Sequence, residues 1–482
     1  MNKQIINDKR ILSILSAAAF LSVLDIFIVN VALPTIKKEL HSTDADIQLV
    51  IAGYLLGYAV FLITGARAGD YYGRKKVYVI SMCCFTLASL LCGIAQTPLQ
   101  LNIARSLQGI SAAFMVPQSL AYIQMLFPDQ RNRAKALGFY GGVAGVASVI
   151  GQFLGGLLPD IHFSNELFSH LDGWRLIFLI NIPLGIVAAY SANSHLKEHK
   201  LLRTGSFDVS GVILGSLALL GLIYPLIRGR ELGWPLWSLV LLGSSFLLLY
   251  GFVKNQQAKM KRGVCVLIDF RLFRYSDFRI GLFIALFYFI AQDSYFLITG
   301  LMLQDGLNIS SSETGLLFVF QGLGYVFGSV GSLVLIRKYG KKVIQLAVLL
   351  MMVSLVLHVF LFSEAKVDWY LSYPLLLMYG VGCGAVLPSI MSLALQRIPA
   401  DLAGSASGLY STIQQAAVAL GIGLTGGIFF SFLSEGTSKI DYINAYMGAT
   451  GLNILALMCV LFFLYRFPGL NGKEKIPGVK CK

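Results

Sequence analysis

Gly65-Ala66-Arg67-Ala68-Gly69-Asp70-Tyr71-Tyr72-Gly73-Arg74-Lys75-Lys76 is a short, glycine-rich, basic stretch between two long apolar runs, 47–66 and 77–96. Each run is about long enough to cross a bilayer, which takes about 20 apolar residues of helix. The stretch between them therefore reads as a tight connection at one membrane face. Its glycines allow a sharp turn and close approach of helices. Asp70 stands where it could hold an Arg or a helix N-terminus in one conformation and release it in another. A charged turn that merely fixes orientation would carry the same residues.

Outward from this turn the pattern repeats along the 482 residues, 56% of them hydrophobic and 13% charged. The spans read as 12–34, 47–66, 77–96, 100–126, 136–158, 175–194, 208–228, 235–253, 279–303, 314–336, 342–362, 370–396, 403–430 and 445–466. An all-α polytopic membrane protein with fourteen spans is expected, because backbone groups in lipid must be satisfied within each helix. The first run extends from Ile11 to Pro34, too long for an ordinary signal-peptide core.

Lys and Arg fall unevenly. Of the 38, 30 lie at one face, in eight segments that include both termini, and seven at the other. The bias predicts both termini in the cytoplasm. It also accounts for the net charge of +14 without a nucleic-acid partner, since the charge forms no single stripe. The seven cysteines are scattered through spans and loops without metal-ligand or disulfide-framework spacing. His162, Glu166 and His170 recur every four residues in one loop, but no fourth ligand accompanies them.

The chain also repeats internally. Gly109, Pro117 and Pro128 return 271 positions later as Gly380, Pro388 and Pro399. Ala136, Gly138 and Tyr140 return after 270 as Ala406, Gly408 and Tyr410. Gly73-Arg74-Lys75 returns as Gly340-Lys341-Lys342. An offset near 270 exceeds the roughly 200 residues that six spans occupy here, so two additional spans, 208–228 and 235–253, lie between the repeats. The expected organisation is a six-helix half (1–200), an inserted pair with its linker (201–262) and a second six-helix half (263–482). Parallel repeats of this kind build transporters that rock two halves about a midplane site.

The opening stretch closely resembles the loop signature of the major facilitator superfamily. Leu24-Asp25-Ile26-Phe27-Ile28-Val29-Asn30-Val31-Ala32-Leu33-Pro34, Arg105-Ser106-Leu107-Gln108-Gly109 and Trp174-Arg175-Leu176-Ile177-Phe178-Leu179-Ile180-Asn181-Ile182-Pro183 resemble signatures of its fourteen-span drug/proton antiporter branch. The sequence departs from that pattern at Ala66, where the signature has glycine, and at Ala147. It departs again at Gly151-Gln152-Phe153-Leu154-Gly155-Gly156, where the antiporter motif has proline in the place of Gln152. Without the proline a helix-kinking element is missing, while the small-residue packing face of Gly151, Gly155 and Gly156 is kept.

Three ionisable residues lie deep in spans: Asp25, Arg105 and Asp293. Each costs about 2.5–3.5 kcal/mol at a helix centre on insertion scales, which marks a functional candidate. Asp25 and Asp293 are 268 positions apart, close to the repeat offset. The resemblance implies that spans 1, 4, 9 and 12 line a central cavity and that protons are exchanged for cargo there. Burial favours the neutral acid, whereas a guanidinium or a cationic cargo favours the carboxylate. Proton and cargo would then compete for one charge, with Arg105, Asn30 and Gln108 beside it. An inert Asp25–Arg105 pair that holds helices together is the competing reading. Phe289 and Phe296 share a helical face with Asp293 and would suit a lipophilic, possibly cationic compound. Gly65, Asp70, Gly73 and Arg74 would gate the cytoplasmic side.

No Gly-x-Ser-x-Gly elbow, His-Glu-x-x-His helix or phosphate-binding Gly-x-x-x-x-Gly-Lys-Ser/Thr loop occurs. The expectation is a non-enzymatic, metal-free and cofactor-free exporter of hydrophobic or amphipathic small molecules. It would be driven by the proton gradient, monomeric, and set in a bacterial inner membrane. Proton-coupled uptake, export of a specific metabolite, and a non-transporting sensor stay open on these residues.

Overall fold

Three helices begin in the same way. Thr43, Ser310 and Ser438 each accept a hydrogen bond from the backbone N–H three residues on, and Asp46, Glu313 and Asp441 bond back to the cap. These capping boxes satisfy amide groups that a helix start leaves open. The first two start helices of 29 residues that both end at a glycine with positive φ, Gly73 at 99° and Gly340 at 59°. A side chain is strained in that conformation.

A computed structural model describes residues 2–127, 130–161, 173–198, 208–264, 266–363, 368–399, 402–433 and 438–467. The helices are α1 (Asn2–Glu39), α2 (Asp44–Tyr72), α3 (Arg74–Gly93), α4 (Pro98–Leu126), α5 (Gln130–Leu157), α6 (Leu176–Leu179) and α7 (Asn181–His195). After them come α8 (Val209–Glu231), α9 (Leu236–Lys261), α10 (Ser276–Leu301), α11 (Ser311–Tyr339) and α12 (Lys341–Ser363). The last three are α13 (Trp369–Leu395), α14 (Ala403–Phe432) and α15 (Lys439–Arg466). No β-strand occurs among the described residues.

Thirteen segments among the described residues are long and apolar enough to cross a membrane. The expected fourth span is formed as the 29-residue α4 but is not one of the thirteen. Arg105, Gln108 and Gln118, all buried, interrupt its apolar sequence. The expected sixth span is broken into α6 and α7 near Ile180. The opening stretch is mostly not a loop. α2 runs on through Tyr72, and the change of direction falls at Gly73.

The repeat is visible in the packing. α2 lies against α4, and α11 lies against α13. A Cβ on Gly109 would come within 1.9 Å of the Tyr54 carbonyl oxygen, and one on Gly380 within 2.0 Å of the Gln321 oxygen. Gly57 and Gly328, 271 positions apart, meet the backbone of Ser106 and Val381 in the same fashion. Gly322 and Gly324 serve close packing as well.

α5 joins the two repeats. Gly151 and Gly155 lie on the α1 backbone at Leu24 and Ile28, and Gly156 meets Ser311 and Gly315 of α11. Gln152, where the family motif has proline, is buried with its side-chain oxygen unpartnered. The polar bonds between the repeats gather at one end. A π-turn at Met302–Gly306 ends α10. From it Gln304 donates to the Val31 carbonyl at 2.7 Å, and Ser311 donates to Gln304 at 2.9 Å. Ser311 also meets Thr35 at 3.1 Å. Toward the other end of α5, Gly138, Gly141, Gly142 and Gly145 face open space.

α8 packs on α2, α14 and α9. Arg228 at its end pairs with Asp46 of α2 at 2.5 Å. At its start Asp208 accepts from Gln256 at 2.6 Å and from the Gly211 amide at 2.8 Å, and it pairs with Lys259.

Candidate transport site

Asp25 sits midway along α1 with no solvent exposure, among residues from four other helices. Its Oδ2 pairs with Nη1 of Arg105. Its Oδ1 accepts from Gln108 Nε2 at 2.8 Å and from Asn181 Nδ2 at 3.1 Å. Arg105 is held in turn by the Gln108 side-chain oxygen at 2.7 Å and the Val50 carbonyl at 3.0 Å. The Tyr54 ring lies against the guanidinium at 4.5 Å, a cation–π distance. Ser89 of α3 accepts from both amides, at 3.2 Å from Gln108 and 3.1 Å from Asn181, and donates to the Phe178 carbonyl at 3.0 Å.

Local sequence explains this convergence. Arg105 and Gln108 are three residues apart and share one face of α4. The glycines of the α2–α4 contact let that face reach Val50. The break before α7 directs Asn181 inward. A charge buried this deeply is tolerable because both carboxylate oxygens and the guanidinium find several partners.

Asp293 of α10 is placed differently. It is half-buried, and no hydrogen bond or ion pair reaches it among the described residues. Phe289 and Phe296, one turn to either side, are 2% and 3% exposed. Phe296 meets Phe27 of α1 edge-on at 5.3 Å, and Phe289 packs beside Tyr288. α1 and α10 also approach at Gly300, where an added Cβ would lie 3.5 Å from the Asn30 carbonyl oxygen. Asn30 is buried with its side-chain oxygen unpartnered. The structure thus gathers Asp25, Arg105 and Gln108 into one network and leaves Asp293 outside it. His358 is fully buried beside Tyr295 and Phe362.

At the opening stretch, the Gln118 side chain of α4 donates to the Gly65 carbonyl at 2.7 Å. A Cβ on Gly65 would strike the Ala113 oxygen at 2.1 Å. At Gly73 it would meet the Glu198 carboxylate at 2.5 Å. Glu198 accepts from the backbone N–H groups of Lys75 and Lys76, at 3.3 and 3.2 Å, and so caps α3 from beyond the end of α7. The side chain of Asp70 and the His162, Glu166 and His170 group lie outside the described residues.

Sequence reasoning passed over Asn181, Ser89, Gln118 and Glu198. For the two amides a signal was present, since a lone amide in an apolar run needs a partner. For Ser89 and Glu198 none was. No group of three or more His, Cys, Asp or Glu suited to a metal occurs among the described residues.

A duplicated packing pattern with a buried ion pair at its centre is an architecture that secondary transporters use. The Major Facilitator Superfamily profile matches residues 15–422, and the chain belongs to that family. It is 34% identical over 435 residues to the "Probable actinorhodin transporter" of Streptomyces coelicolor, covering 89% of this chain and 74% of that protein. It is 32% identical over 423 residues to "Multidrug resistance protein Stp" of Mycobacterium tuberculosis, covering 86% and 74%. Among solved structures, a D-xylose–proton symporter superposes with a TM-score of 0.67 at 13% identity, over 97% of this chain and 99% of that one. The protein is therefore a non-enzymatic, multi-pass transporter of small molecules in a bacterial inner membrane.

Proposed function

We propose that the chain exports hydrophobic or amphipathic small molecules in exchange for protons, as a monomer of fourteen spans with both termini in the cytoplasm. α4 is the fourteenth span. Residues 1–200 and 263–482 form two six-helix halves that rock about the α1–α10 contact, and 201–262 supply the inserted pair.

The observation that carries this reading is the Asp25–Arg105 pair, enclosed by Gln108 and Asn181. A proton on Asp25 dissolves the ion pair. Arg105 keeps its bonds to the Val50 carbonyl and Gln108 and its place against Tyr54, so the site survives the loss of its counter-charge. Asp293 is the second carboxylate, unpaired among the described residues and half-buried, with Phe289 and Phe296 as apolar walls for a cationic group. Asn30 offers an unpartnered oxygen further along the same contact, where α1 meets Gly300. Gly65, Asp70, Gly73 and Arg74 gate the cytoplasmic end. Gly151, Gln152, Gly155 and Gly156 form the surface on which α5 slides against α1 and α11.

Export is supported by the names of similar proteins, which include a transporter of actinorhodin, a multidrug resistance protein and a puromycin resistance protein of Streptomyces alboniger, 31% identical over 448 residues. The test is exchange in proteoliposomes under an imposed pH gradient, with lipophilic dyes and aromatic antibiotics as cargo. Asp25→Asn is expected to abolish pH-driven exchange while the protein remains folded. Unchanged exchange removes Asp25 from the coupling.

A further inference from the structure

A groove of about 340 Å³ opens on the outer surface where α2 and α3 diverge over α4. Ala68 and Tyr72 of α2, Lys76 and Ile80 of α3, and Ile110 and Phe114 of α4 line it, and its accessible lining is apolar. The groove faces the bilayer. Leu99, Ile103 and Leu107 of α4 are 68%, 54% and 45% exposed, and Ile110 and Phe114 continue their helical face. On α3, Ile80 and Leu87 are exposed on the same surface.

One end of the groove is basic. The Lys76 side chain forms part of its wall and is exposed. A lysine in that position runs its methylene stem along apolar surface and presents its ammonium at the rim. No carboxylate pairs with the side chain of Lys76 or Arg67 among the described residues. Glu198 already binds the backbone N–H groups of Lys75 and Lys76 at the start of α3. An apolar slot in a lipid-facing wall, with a lysine at one end that has no carboxylate partner among the described residues, matches a ligand with a hydrocarbon tail and an anionic head. Basic pockets between spans are the recurring form of acidic-lipid sites.

We infer that this groove holds one phospholipid with an anionic headgroup, an acyl chain lying over Ile110 and Phe114 and the phosphate against Lys76. The site does not depend on the direction or cargo of transport.

Native mass spectrometry of the full-length, delipidated protein in detergent tests this, with phosphatidylglycerol or phosphatidylcholine of identical acyl chains. One phosphatidylglycerol is expected to bind at least about five-fold more tightly than phosphatidylcholine, the preference one lysine gives at a membrane surface. Lys76→Gln should erase that preference and Lys76→Arg should keep it. Ile110→Trp, which fills the slot, should lose both lipids. Equal binding of the two lipids, a preference that survives Lys76→Gln, or a lipid-free dimer cross-linked through Ile80→Cys would each overturn the assignment.

Discussion

Asp25 on α1 and Asp293 on α10 are 268 positions apart, close to the repeat offset of 271, yet their surroundings are opposite. On α1 a carboxylate is fully buried and bonded to an arginine and two amides. On α10 a carboxylate is half-buried among rings, with no bonded partner among the described residues. Duplication kept the helix scaffold and its glycine contacts while the polar chemistry diverged. One site is built to hold a charge in place, and the other leaves a charge available.

The contrast breaks first at Arg105. Arg105→Met strands the Asp25 carboxylate in the interior and should destabilise the protein by about 3–5 kcal/mol. The double variant Asp25→Asn/Arg105→Met should recover most of that loss. Thermal unfolding in detergent reads both, and equal Tm values for the single and double variants would mean that the pair is not coupled.

The scaffold should respond alike in the two repeats. Gly109→Ala and Gly380→Ala each force a Cβ into a facing carbonyl, and each should cost about 1–3 kcal/mol. A large effect at one position with none at the other would show that the α2–α4 and α11–α13 contacts are not equivalent.

Asp293→Asn should change stability by less than about 0.5 kcal/mol, since no bond is lost. It should nevertheless impair pH-driven transport of cationic cargo, which flux measurements report separately from Tm. A drop in Tm comparable to that of Arg105→Met would reveal a partner for Asp293.

The smallest effect is expected outside the membrane. Burial pushes Asp208 up, but Lys259, Gln256 and the Gly211 amide outweigh it and hold the carboxyl below its ordinary value of 3.8. A carboxylate lowered in this way contributes stability above its unfolded pKa, and loses it only as pH falls through the folded value. Asp208→Asn should therefore leave the shape of the transport pH profile between pH 5 and 8 unchanged. A shifted profile would place part of the pH sensitivity at the α8–α9 clasp rather than at Asp25.

Most of the helices were legible, because span length and capping are local properties. Apolar runs of bilayer length forecast the helices to within a few residues at many ends. The repeat at 271 paired Gly109 with Gly380, and in the fold the two make matched contacts. The opening stretch was misjudged for a local reason too. Glycines at 65 and 69 suggest a turn, but in a membrane helix a small residue is equally a packing surface, and α4 fills the space beside both. The break before α7 went unrecognised, and with it the inward placement of Asn181.

Hydropathy, charge bias and internal repetition were enough to define a polytopic helical transporter and to single out three buried charges, because each reflects a cost that lipid imposes on one residue or one helix at a time. Which charges meet was set by the fold. Asp25 and Arg105 are 80 positions apart, and Asn181 lies a further 76 along the chain. Only the packing of α1, α3, α4 and α7 at glycine-lined contacts brings them within hydrogen-bond distance, and the same fold leaves Asp293 without a partner among the described residues.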